Sequence, residues 1–272
     1  MGNEIKQKVY DTVVSSNQRL TPIEVEKKAA AELGVQRRVI KAAIKELVHE
    51  GVLRYTYFGN SFLESSMDRP VRVSGRIVVK PPHKVYISEK DDIVIDINSE
   101  LAFGDGGHPS TYLVLRTLDS ILSSPDYHKG RSLSKALDVG TGTGILAIAT
   151  AKFGIKEVVG IDIDRTAVFE AEGNVRINNL IGQITISGTP LEEIRSSFSL
   201  VMANIGSQTL EMLRPLLVER IEEGGVLVLS GFTTDVCDAL LKTYLQSGLK
   251  LIHRNEERNW ACLILSKPRA SL

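Results

Sequence analysis

Asp138, Gly140, Gly142 and Gly144 fall within seven residues, Asp138-Val139-Gly140-Thr141-Gly142-Thr143-Gly144. Before them lies the apolar pair Ala136-Leu137, and after them the mostly apolar run Ile145 to Ala151. The pattern predicts a strand, a tight turn and a helix, in that order. Glycines at alternate positions let the backbone turn sharply and approach a ligand that a Cβ would fend off. The helix behind the turn aims unpaired N–H groups at an anionic group placed there. The leading aspartate selects among ligands, because a carboxylate at the loop entrance repels a pyrophosphate and accepts from an amine. A nucleoside carrying both a carboxylate and an ammonium group fits these demands, and S-adenosylmethionine is such a ligand. A glycine turn that serves geometry alone is the competing reading.

Neighbouring residues extend the same chemistry. Asp162 comes eighteen residues after Gly144, at the end of the next predicted strand, where a carboxylate can take both ribose hydroxyls. Asp164 precedes Arg165 and Thr166 and reads as the cap of the following helix. Gly188-Thr189-Pro190 follows the third strand, so Thr189 or its backbone is placed to receive the adenine amine. Asn204 ends the fourth strand, in Val201-Met202-Ala203-Asn204-Ile205, at the position facing a reactive methyl group. An amide there can accept from an amine nucleophile and fix its lone pair. In-line methyl transfer needs orientation and desolvation more than a strong base once the amine is neutral. A simple strand-end turn residue is the alternative for Asn204. The loop Phe103 to Thr111 holds three glycines and His108, poor core material that suits a flap over a ligand. Ser110 or Thr111 can cap the helix that follows. His108 either contacts the ligand and helps remove a proton, or braces the loop through a backbone bond. Five histidines, at 49, 83, 108, 128 and 253, are scattered, so no metal site is expected.

Those residues need a framework, and the chain supplies enough for one. It has 272 residues, 43% of them hydrophobic, with Lys+Arg and Asp+Glu both at 33. The zero formal charge argues against non-specific coating of nucleic acid. Cys237 and Cys262 match no zinc or disulfide spacing, which suits a reducing cytosol. No apolar run near 18 residues and no signal-like start are present, so a cytoplasmic protein without membrane contact is expected.

Residues 1–64 read as a separate unit. Helices are predicted over Glu4–Val14, from Thr21-Pro22 to Leu33, and over Gln36–Glu50, the last burying Val39, Ile40, Ala43, Ile44, Leu47 and Val48. Strands over 52–57 and 61–64 flank a Phe58-Gly59-Asn60 turn, giving a winged-helix-like arrangement. Arg37, Arg38, Lys41 and Lys45 on the third helix can meet phosphates of a nucleic acid. They equally serve as a solvated face, since ten basic residues here meet eight acidic ones. Residues 65–98 read as a linker and a β-hairpin, with strands at 71–80 and 85–97 around Pro81-Pro82. Residues 99–272 read as the second domain, and from Ala136 strands and helices alternate, implying a mostly parallel sheet covered on both faces. The last two strands, 250–256 and 260–266, are joined too tightly for a crossover and should run antiparallel. This ending is expected of the class I S-adenosylmethionine-dependent methyltransferase fold, an α/β fold with a seven-stranded mixed sheet.

The combined motifs resemble those of the methyltransferase family that modifies the stalk-base protein of the large ribosomal subunit, the PrmA family. The resemblance spans about residues 75 to 267 and rests on Leu101 to Thr111, Asp138 to Gly144, Asp162, Ala203-Asn204-Ile205 and Trp260-Ala261-Cys262-Leu263. It implies that Phe103, Gly104 and Thr111 contribute to the cofactor pocket and entrance, with Thr141 and Ile163 beside the glycine loop and the ribose. It implies Asn204 beside the transferred methyl, and a protein substrate, ribosomal in the family. Two departures bear on the substrate. The family has threonines where this chain has Asp105 and Gly107, and a ferredoxin-like recognition module where this chain has its winged-helix-like unit. Protein N-methylation is the leading expectation. Nucleic-acid or small-molecule methylation, and a cofactor-sensing DNA-binding regulator, are the alternatives. Against base methylation, Asn204-Ile205-Gly206-Ser207 lacks the Asn-Pro-Pro-aromatic sequence that stacks a flipped base.

Overall fold

The computed structural model describes residues 2–16, 18–57, 59–98, 106–124 and 134–269. The chain divides into two compact units, Met1–Pro70 and Val71–Leu272.

The first unit holds α1 (Gly2–Val14), α2 (Pro22–Leu33), α3 (Arg37–His49) and an antiparallel pair, β1 (Leu53–Tyr57) and β2 (Ser61–Ser65). Thr21 starts α2 with a reciprocal cap: its Oγ1 accepts from the Glu24 N–H, and the Glu24 carboxylate accepts from the Thr21 N–H. Gly34, at φ 65°, ends the helix in the left-handed region. Val9, Val25, Ala29, Ile40, Ile44, Leu53 and Leu63 form the core. Val39 is not part of it. It lies exposed, one position off the buried 40–43–44–47 stripe. Of the expected 58–60 turn, Phe58 lies outside the described residues.

The second unit opens with a three-stranded sheet, ordered β3 (Val71–Arg72), β4 (Ile77–Lys80), β5 (Ile93–Asp96). The expected hairpin is absent, because β4 and β5 pair in parallel, with Ile77 opposite Ile93. The intervening segment is a loop. Asp92 gathers it by accepting from Arg72, the Tyr86 hydroxyl and the Glu89 N–H. Val85 and Ile87, expected in a strand, are 90% and 89% exposed. The boundary between the two compact units falls at Pro70.

Then come α4 (Pro109–Ser123), β6 (Lys135–Val139), α5 (Ile145–Lys152), β7 (Glu157–Ile161), α6 (Arg165–Ile177), β8 (Ile184–Ser187), a 3-10 turn (Leu191–Glu193), β9 (Phe198–Asn204), α7 (Ser207–Glu219), β10 (Ile221–Thr233), α8 (Thr234–Gln246), β11 (Lys250–Glu257) and β12 (Trp260–Ser266). Seven strands form one sheet, in the order β11-β12-β10-β9-β6-β7-β8. β6 to β10 run parallel, and β12 is antiparallel to both β10 and β11. Fully buried strand residues such as Leu137, Leu200, Val201, Leu227 and Leu263 show that both faces are covered. The chain leaves β6 toward β7 on one side and returns to β9 on the other. Ligand crevices in open α/β sheets form at such a reversal, outside the carboxyl ends of the strands.

Candidate active site

At that reversal the carboxyl end of β6 runs into the glycine loop. Gly140, Gly142 and Gly144 have φ of 73°, 56° and 82°, a region that strains any residue with a Cβ. Space forbids one as well: a Cβ on Gly140 would lie 2.5 Å from the Ile205 side chain. Gly140 and Thr141 both donate their N–H to the Ile161 carbonyl, at 2.9 and 3.0 Å, which ties the loop to the end of β7.

Asp138 is fully buried beneath this loop. Its Oδ2 accepts from the Thr141 hydroxyl at 2.7 Å, while its Oδ1 makes no hydrogen bond of full geometry, the Ala147 amide being only a weaker contact to the carboxyl. Burial pushes its carboxyl up to about 7, while the Thr141 hydroxyl and the Ala147 amide hold it down and the Asp162 charge raises it. Asp162 follows β7 and is half-buried. Its Oδ2 accepts from the Gly142 N–H and its Oδ1 from the Asp164 N–H, both at 3.0 Å. Asp164 caps α6 through the Thr166 N–H at 2.8 Å, as its sequence position implied. Ile163, between the two carboxylates, stands 87% exposed. Thr189 lies beyond β8, its hydroxyl against Ser187 Oγ and its N–H donated to the same atom.

Asn204 ends β9, next to β6 in the sheet. Its Nδ2 donates to the Thr111 hydroxyl at 3.3 Å, and its Oδ1 is buried without a partner. Thr111, itself buried, thereby fixes which way the amide faces. His108 rather than Ser110 or Thr111 caps α4. Its Nδ1 accepts from the Ser110 N–H at 3.3 Å and lies 2.8 Å from the Ser110 hydroxyl. An accepting Nδ1 places the proton of the neutral ring on Nε2. The ring also packs edge-on against Trp260, with centroids 4.5 Å apart. Phe103 and Gly104 lie outside the described residues.

Two residues without a role in the motif reading join this rim. Asn174 and Asn178, one turn apart at the end of α6, are buried and bonded to the β5 backbone and the glycine loop. Their signal was a pair of amides on the helix face that otherwise carries Ala167, Ala171 and Val175. A shallow cleft of about 510 Å³, lined in part by Ser74, Arg76, Arg116, Asp119 and Ser123, shares no residue with the rim. Its Asp119 is already engaged by Arg76 and Ser123. The rim, with its unsatisfied acceptors at a sheet reversal, is the better candidate.

Comparison with known proteins identifies the family and the fold. A family model described as ribosomal protein L11 methyltransferase (PrmA) matches residues 63–268. The ribosomal protein L11 methyltransferase of Geotalea uraniireducens (strain Rf4) is 39% identical over 199 residues, which is 72% of this chain and 63% of that protein. That of Geobacter sp. (strain M21) is 38% identical over 204 residues, 74% of this chain and 64% of that one. The chain thus spans less than two thirds of the length of these curated relatives. A crystal structure of ribosomal protein L11 methylase from Lactobacillus delbrueckii subsp. bulgaricus superposes with TM-score 0.65 at 27% identity, covering 74% of this chain and 100% of that one. A putative RNA methyltransferase from Pyrococcus horikoshii, at TM-score 0.50 and 17% identity, covers 61% of this chain and 87% of its own and shares the fold alone. The fold is that of the class I methyltransferases.

Proposed function

The chain belongs to the ribosomal protein L11 methyltransferase family, and on that premise we propose that it transfers a methyl group from S-adenosylmethionine to an amine of a ribosomal protein. The observation that carries this reading is the pair of buried, unpartnered acceptors, Asp138 Oδ1 and Asn204 Oδ1, at the ends of adjacent strands. A buried acceptor left unpaired costs on the order of 1–3 kcal/mol. Two of them at one sheet reversal fit a ligand and a substrate that both donate.

The donor set fits the cofactor part by part. Asp138 accepts from the ammonium group, and the first turn of α5 faces the carboxylate. Asp162 takes the ribose hydroxyls while holding Gly142 in place. Ile163 offers an apolar surface to the adenine, with Thr189 at its edge. Thr111 belongs to the entrance. When bound, the cofactor supplies an electrophilic methyl carbon. Asn204 contributes orientation: its Oδ1 accepts an N–H of the substrate amine, which turns the nitrogen lone pair toward that carbon. A lysine amine, with a free pKa near ~10.4, must arrive neutral or lose its proton in a desolvated site. His108 is committed at Nδ1 to the α4 cap and positions the loop–helix junction.

The first unit is read as a winged-helix-like docking module. A three-residue connection, 34–36, joins α2 to α3, and Arg38, Lys41 and Lys45 stand exposed along α3. They suit an anionic partner surface. Reversing Lys41 and Lys45 to glutamate should weaken substrate capture several-fold and leave cofactor affinity unchanged.

The test is incubation of the protein with methyl-labelled cofactor and a ribosomal fraction, followed by separate protease and nuclease digestion. Protease-sensitive label on a single protein is the expected result. Label lost only to nuclease would replace the protein substrate with RNA. No label, despite cofactor binding by calorimetry, would overturn the transfer activity.

A further inference from the structure

α6 buries two side-chain amides on a face otherwise made of Ala167, Ala171 and Val175. An aliphatic residue would pack there without any need for partners, so the amides require a reason. Asn174 is 1% exposed. Its Nδ2 donates to the carbonyls of Asn98 and Thr143, and its Oδ1 accepts from the Asn98 N–H, all at 2.9 Å. Asn178 repeats half of this pattern. Its Nδ2 donates to the Asp96 carbonyl at 2.7 Å, and its Oδ1 accepts from the Asp96 N–H at 3.1 Å. Each amide thus exchanges two hydrogen bonds with one residue of an extended chain, as a paired strand does.

The spacing explains why this works. Two residues along a strand advance about 6.6 Å, and four along a helix advance about 6 Å. Asn174 and Asn178 therefore match Asn98 and Asp96, and the edge of β5 away from β4 is zipped to a helix. Each Nδ2 makes one further bond, that of Asn178 turning back to the Asn174 carbonyl at 2.9 Å. Only Asn174 also reaches the glycine loop, at Thr143. One residue on, Gly144 passes so close to α6 that a Cβ there would lie 3.2 Å from Ala171.

We propose that Asn174 is a positioning residue for the cofactor loop: it fixes the Thr143 carbonyl and couples that loop to β5, while Asn178 ties β5 to the end of α6 without reaching the loop. The inference rests on the reading of the glycine loop as the cofactor site. Asn174→Ala and Asn178→Ala each remove one such pair of backbone bonds, so both should lower Tm similarly. Calorimetry with S-adenosylmethionine should find the affinity of Asn174→Ala about 10-fold weaker and that of Asn178→Ala within twofold of the parent. Equal weakening in both variants, or none in Asn174→Ala, would overturn the proposal.

Hydrogen exchange on the unmodified protein gives an answer that does not depend on either variant folding. Cofactor addition should slow exchange at the Asn98 amide, whose acceptor is Asn174. Unchanged exchange there, with the cofactor demonstrably bound, would overturn the coupling. If the unmodified protein binds no cofactor at all, the failure lies with the cofactor reading and takes this inference with it.

Discussion

The two ends of the seven-stranded sheet solve the same problem differently. At the amino ends polar groups are closed upon one another. Ser199 Oγ accepts from the Ser134 and Lys135 N–H groups and donates to the Lys135 carbonyl. Lys267 donates to the carbonyls of Val218 and Ile221, and Gln183 to those of Ala151 and Ile155. Arg220 leaves Nε unpaired, yet both its terminal nitrogens donate. At the carboxyl ends of β6 and β9 the unpaired atoms are acceptors, one of them on a fully buried carboxylate, and Ile163 beside them stands in solvent. Buried polar atoms without partners are rare in folded proteins, and two acceptors on adjacent strand ends fit a donor from outside. Polar groups are paired at one end of the sheet, and unpaired acceptors are kept at the other.

The largest effect that would sharpen this contrast is expected at Asn204. Asn204→Ala should lower turnover about 100-fold, the scale of a misoriented reactant, with cofactor affinity within a few-fold of the parent. Single-turnover transfer of labelled methyl, read alongside calorimetry, separates the two. Parent-like turnover would return Asn204 to a strand-end turn residue. Next is Asp162→Ala, which removes the proposed ribose acceptor and the Gly142 acceptor together. On the order of 2 kcal/mol, or about 30-fold in affinity, should be lost. Undiminished binding would remove the ribose role.

Asp138 tests the contrast through pH. Its folded-state carboxyl is pushed up to about 7 from the usual 3.8, chiefly by burial. Between those values the folded chain holds a proton that the unfolded chain has released. The ligand-free protein should therefore lose stability as pH rises from about 4 to 7, by on the order of 4 kcal/mol at most. Above 7 the deficit is constant. Asp138→Asn has no such proton and should flatten the decline, raising Tm at pH 8 in thermal melts. The same variant should bind S-adenosylmethionine about 10-fold more weakly at pH 8, because the carboxamide lacks the charge that meets an ammonium group. A substitution that stabilises the fold and weakens the ligand would place Asp138 on the binding side of the contrast. A destabilised variant at pH 8 would place it with the structural groups.

How much of this was legible in the sequence follows from how local each feature is. The glycine loop, the Asp164 cap and the antiparallel ending were readable because neighbouring residues determine them. The α4 cap was readable too: Pro109 at the first helical position points to His108 in front of it, a signal that the hydroxyls of Ser110 and Thr111 masked. The β4–β5 pairing was not readable. Alternating apolar residues at Val85 and Ile87 imitate a strand, and whether two strands run parallel depends on the path between them. Asn174 escaped for a related reason. An asparagine on an amphipathic helix reads as solvated until the chain it bonds, 76 residues earlier, is seen beside it. Asn204 was legible as a strand-end position. Its unpaired oxygen became visible only with Thr111 placed opposite its nitrogen.

The smallest effect on binding is expected at the closed end. Ser199 is buried, and its single hydroxyl serves two N–H groups and one carbonyl at the start of β6. Ser199→Ala strands those groups and should cost about 2 kcal/mol, a Tm loss of roughly 5 °C for a unit of this size. Nothing in that network touches the glycine loop, so calorimetric affinity for the cofactor should stay within twofold. Distant sites without shared partners act additively, and the double variant Ser199→Ala/Asp138→Asn should show the sum of the two Tm changes with the affinity of Asp138→Asn alone. A non-additive result would mean that β6 transmits strain from one end of the sheet to the other. The division of labour between the two ends would then be a property of the whole strand rather than of its termini.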